Sequence, residues 1–75
     1  MKYQVTFDID NFEFWGMAKK IYNAFKEANK LPTLQKAIEG YFNDDYIPTA
    51  AEINDTVAFG IAQDSNFLRA NNIAL

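Results

Sequence analysis

The sequence predicts an α+β fold, one N-terminal β-strand followed by three α-helices, in a single compact domain spanning residues 1–75. Three observations carry this reading. Residues 2–8 alternate polar and apolar side chains, two later segments repeat apolar residues at intervals of three and four, and capping signatures stand at Asp10 and Thr49.

In the strand, Lys2, Gln4, Thr6 and Asp8 fall on one side and Tyr3, Val5 and Phe7 on the other, the period of a half-buried strand built from β-branched and aromatic residues. A lone strand leaves amides and carbonyls unpaired on both edges. Residues 2–8 therefore call for a partner: a short strand near the C-terminus (Asn71 to Leu75), the same strand of a second copy, or an edge strand of another protein.

Asp10, with Glu13 three residues later, makes an Asp version of the capping box, and Ile9 is placed to staple against Phe14. Phe14, Ala18, Ile21, Phe25 and Ala28 then recur at helical spacing, with Lys19, Lys20, Asn23, Lys26 and Glu27 opposite, which predicts an amphipathic helix of about five turns. Leu31-Pro32 ends it, because Pro disfavours the α conformation in the residue before it. A second helix opens at Thr33 and presents Leu34, Ala37, Ile38, Tyr41 and Phe42, until Asn43-Asp44-Asp45 breaks it. Thr49-Ala50-Ala51-Glu52 is a full capping box for a third helix carrying Ile53 and Val57. Gly60 weakens its end, and Asp64 to Arg69 offers one further short turn. The predicted core is Phe14, Ala18, Ile21, Phe25, Ile38, Phe42, Ile53 and Val57.

Composition narrows the function. The chain has no Cys and no His, so disulfides, thiolate or imidazole metal sites and the usual nucleophile–base pairs are excluded. Its three Gly stand singly at 16, 40 and 60, which is no phosphate-binding loop. Asp8, Asp10 and Glu13 lack the spacing of a calcium loop and read as capping residues. The expectation is a non-enzyme without cofactor or metal. No apolar stretch approaches the roughly 20 residues of a membrane span, and the N-terminus alternates where a signal peptide needs an apolar run. A cytoplasmic protein without membrane contact is expected.

Charge is the strongest partner signal. Ala37 to Leu68 holds six carboxylates and no Lys or Arg, so residues 1–36 sum to +2 and residues 37–75 to −5. Such acid repels phosphate and attracts basic surfaces. Leu34 to Phe59 resembles a helix-turn-helix in outline, but its reading helix has Glu52 and Asp55 and no base, which argues against direct nucleic-acid binding. Capping accounts for Glu52 and turn chemistry for Asp44 and Asp45, whereas Glu39, Asp55 and Asp64 have no local structural role. Two readings are open: a solvated face of an acidic protein, or a surface for a basic, nucleic-acid-binding partner made from Glu39, Asp44, Asp45, Asp55 and Asp64. Phe12, Trp15 and Tyr22, at the edge of the first apolar stripe, are either core or interface. Twelve aromatics are many for so small a core, and Trp and Tyr at a rim supply binding energy.

Two segments carry a resemblance. Asn11-Phe12-Glu13-Phe14-Trp15-Gly16-Met17-Ala18-Lys19 and Thr49-Ala50-Ala51-Glu52-Ile53-Asn54-Asp55-Thr56-Val57-Ala58-Phe59 resemble small uncharacterised accessory proteins of phages, plasmids and integrated elements of Gram-positive bacteria. Those proteins have a strand, a Phe-Trp-x-x-Ala-Lys helix and a Thr-x-x-Glu-Ile-Asn-Asp helix; after Asp55 this chain departs from them. The resemblance implies a setting, accessory genes of mobile elements. In that setting the chain reads as a protein-binding inhibitor of a host nucleic-acid-handling or defence protein, anti-CRISPR-like in kind. The alternative is a regulatory or assembly factor of the element itself, a homodimer through residues 2–8.

Overall fold

The computed structural model describes residues 8–43 and 45–74, and among these every regular element is helical. Helix α1 spans Gly16–Glu27, α2 Leu31–Glu39, α3 Ala50–Asp55 and α4 Ser65–Ala70. Beyond Asp55 the chain keeps winding, through a π-helical turn (Thr56–Gly60) and a 3₁₀ turn (Ile61–Gln63), before α4 begins. α1 packs against α2 and against both turns.

The α+β class is thereby corrected: no strand occurs among the described residues. The strand expected at 2–8, and the homodimer contact through it, fall outside the described residues except for Asp8. Asp8 anchors a turn. Its carboxylate accepts from the Asp10 amide (3.0 Å) and the Asn11 side-chain amide (2.7 Å), and its carbonyl accepts from the Asn11 amide (2.9 Å). The C-terminal strand is corrected as well. Asn72 takes a left-handed φ of 59°, and its amide donates to the Arg69 carbonyl (3.0 Å) while the Ile73 amide donates to that of Leu68 (2.9 Å). This is a Schellman motif, and it turns Ile73 into the core.

α1 is shorter than its apolar repeat suggests. Asp10 and Glu13 do not cap it; the N-cap is Trp15, in extended conformation and without a side-chain cap bond. The turn into the helix is made at Gly16, whose φ of +62° lies where only glycine is free of a Cβ penalty. The helix ends at Asn29, φ 58°, in a second Schellman motif, with the Lys30 amide donating to the Phe25 carbonyl (2.8 Å) and the Asn29 amide to that of Lys26 (3.1 Å). Pro32 does not terminate α1. It sits in the first turn of α2, where its missing amide has no helical partner to lose, so α2 starts ahead of Thr33.

The third start lies where the capping box puts it. The Glu52 amide donates to Thr49 Oγ1 (3.2 Å), the Thr49 amide donates to Glu52 Oε1 (2.8 Å), and the Tyr46 hydroxyl donates to Glu52 Oε2 (2.6 Å). Tyr46, then the Thr49 amide, hold the Glu52 carboxyl below its ordinary value of 4.5. A depressed folded-state pKa contributes stability that is complete above the unfolded value and is lost as pH falls through the folded one. Glu52→Gln is therefore expected to flatten the melting temperature on the acid side of 4.5. Thr49→Ala is expected to cost about 1 kcal/mol at any pH. A Thr49→Ala protein that melts with the wild type would show that the cap contributes nothing to stability.

Seven of the eight predicted core residues are buried; Phe42 is only partly so, its ring stacked 6.1 Å from that of Tyr46. Ile9, Leu34, Ala58, Ile61, Leu68 and Ile73 complete the core. Tyr41 closes against the end of the π turn, its ring lying 2.9 Å from where a Cβ on Gly60 would stand, which glycine alone permits without the ring moving.

Candidate protein-binding surface

Phe12, Trp15 and Tyr22, separate in sequence, converge on one groove of about 470 Å³, completed by Glu13, Phe14 and Lys19. The chain preceding α1 supplies the first two and α1 itself the third. Phe14 is the buried floor residue, its ring 4.5 Å from that of Phe12 and 5.4 Å from that of Tyr22. Trp15 is 50% exposed at the rim. Lys26 Nζ lies over the Tyr22 ring, 5.9 Å from its centroid.

Trp15 is fixed from across the fold. Its backbone amide donates to Oδ1 of Asn54 (2.9 Å), a side chain only 3% exposed. The bond ties the approach to α1 to the end of α3 and gives the N-cap amide a partner that its own side chain cannot provide. Sequence reasoning missed Asn54. The signal was present: a polar residue within the Ile53, Val57, Ala58, Ile61 stripe is buried with its neighbours and must find a partner.

Folding gives the acidic residues different surroundings. Asp45 and Asp55 are exposed, and Asp44 lies outside the described residues. Glu39, at the end of α2, accepts from the Gln35 side-chain amide (3.1 Å). Asp64 has a structural role that the sequence reading did not give it: it caps α4, accepting from the Phe67 amide (3.1 Å). It also lines a smaller groove of about 330 Å³ with Ala37, Gly40, Tyr41, Ile61 and Phe67, which places it beside the end of α2.

Sequence reasoning also missed an exposed apolar set, Met17, Tyr41, Tyr46, Ile47 and Phe59, of which Phe59 on the π turn is the most open at 74%. Among the described residues no group of three acidic side chains is placed to hold a metal ion, and no helix is long and apolar enough to cross a membrane. No protein-family model, curated protein or solved structure matches the chain.

Proposed function

We propose that this chain is a non-catalytic, cytoplasmic protein-binding accessory protein of a mobile element, directed at a host nucleic-acid-handling or defence protein that presents a basic surface. The single observation that carries the reading is the groove: a half-exposed Trp, its backbone amide held by the Asn54 side chain, beside the Phe12 and Tyr22 rings. Fixed aromatic rims of this kind provide the dominant contacts of protein interfaces. The acid-only run from Ala37 to Leu68, with Asp45 and Asp55 exposed, supports a basic partner, which such a surface attracts as phosphate does. The setting is the one that the sequence resemblance implies.

The test is capture at low salt from a lysate of a Gram-positive host, with the wild type and Trp15→Ala immobilised in parallel. The expected result is a basic nucleic-acid-binding protein retained by the wild type. Its affinity for Trp15→Ala falls by roughly 2 kcal/mol, some thirtyfold, as for a central aromatic anchor. Equal retention by both proteins, or capture only of further copies of this chain, would count against the proposal.

A further inference from the structure

We propose, building on the protein-binding reading, that the groove of Phe12, Phe14, Trp15 and Tyr22 receives an arginine side chain of the basic partner, stacked on the rings and paired with Glu13. Each alternative occupant meets an obstacle in the lining. A purely apolar side chain would cover the Glu13 carboxylate and leave it without a counterpart. An anion would meet the negative faces of the aromatic rings and the Glu13 carboxylate.

A planar cation meets neither obstacle. Ring faces attract it, and a carboxylate receives a guanidinium through two parallel hydrogen bonds. Arginine suits such a site better than lysine, because its weakly hydrated plane stacks while an ammonium stays in water. Lys26, one helical turn on, already places its Nζ over the Tyr22 ring, 5.9 Å from the centroid. Lys19, also on the lining, has a long stem that lets its ammonium turn outward to water. Glu13, on the lining, is exposed, and residues 8–15 contain no base. Glu13, released from the capping role that its spacing suggests, is available for the guanidinium.

Trp15 is the only Trp in the chain, so its emission reports on this groove alone. The full chain is titrated with a peptide of alternating glycine and arginine, with its citrulline counterpart, and with its lysine counterpart. The arginine peptide is expected to shift Trp15 emission saturably. Citrulline, which keeps the shape and loses the charge, binds at least about tenfold more weakly, and lysine falls between them. Glu13→Gln is expected to weaken the arginine peptide about tenfold without moving the melting temperature, since Glu13 is exposed. Equal binding of the arginine and citrulline peptides, or a Glu13→Gln protein that binds arginine as the wild type does, would overturn the assignment. If the arginine peptide leaves Trp15 unaffected while a captured partner still depends on Trp15, the arginine assignment fails alone. If the partner also ignores Trp15→Ala, the protein-binding reading of this groove fails with it.

Discussion

Replacing Phe25 by Ala is expected to lower the thermal transition steeply, or to abolish it. Phe25 is completely buried on α1, its ring stacked 5.8 Å from that of Phe67 on α4, so it joins the first described helix to the last. Truncating a buried Phe costs about 3–5 kcal/mol, through lost transfer energy and the cavity left behind. Stability on the order of 0.05–0.15 kcal/mol per residue gives this chain about 4–11 kcal/mol, so the loss removes from roughly a quarter of it to all of it. Far-UV circular dichroism during heating reads the result. A Phe25→Ala protein that melts sharply within a few degrees of the wild type would show that the α1–α4 contact does not support the fold.

The second large effect is expected at Asn54. Asn54→Ala leaves the Trp15 amide without its acceptor and opens space in a buried position, for a cost of about 2–3 kcal/mol. Asn54→Leu separates the two contributions, because it restores bulk and not the acceptor. The Leu variant is expected to stay destabilised by at least about 1 kcal/mol, and Trp15 emission is expected to shift in both variants as the N-cap loosens. Chemical denaturation measures the first and fluorescence of the native protein the second. An Asn54→Leu protein as stable as the wild type, with unchanged emission, would mean that the hydrogen bond does not hold the groove in place.

The sequence was most informative where an element declares itself locally. The Thr49–Glu52 box marked a helix start because both partners of the cap lie within four residues, and the apolar faces were legible because burial imposes its own period. It was misleading where a residue type has two uses. Asp10 and Glu13 have capping spacing, but Asp8 takes up the neighbouring amides first, and Gly16 moves the helix start downstream. Pro32 reads as a stop for α1 and is in fact a first-turn residue of α2. Asn29 and Asn72 end α1 and α4 in left-handed conformation, a use of Asn that competes with its ordinary turn and loop roles in the sequence. Tyr41 settles against Gly60 at the end of the π turn, a tertiary contact without a local sequence signal. At the candidate site, the Phe12, Trp15 and Tyr22 rim was legible as the edge of an apolar stripe. The cross-chain bond from Asn54 that fixes it was not, since the two residues meet only on folding. The acidic residues were legible as a charge run, but their hydrogen bonds were not: Asp64 caps a helix and Glu39 accepts from Gln35, while Asp45 and Asp55 are exposed.

Those two open carboxylates offer the most direct test of electrostatic recognition. Association of the captured partner with the wild type and with an Asp45→Lys, Asp55→Lys double variant is followed by stopped-flow as ionic strength is raised. Exposed charges steer encounter over a Debye length of about 30 Å at 0.01 M salt and about 3 Å at 1 M. The double variant is expected to associate at least about tenfold more slowly at low salt, to converge on the wild-type rate at high salt, and to melt within a few degrees of it. Equal association rates at low ionic strength would contradict the acidic-surface reading, identify these carboxylates as an ordinary solvated face, and leave the aromatic groove as the surface that binds.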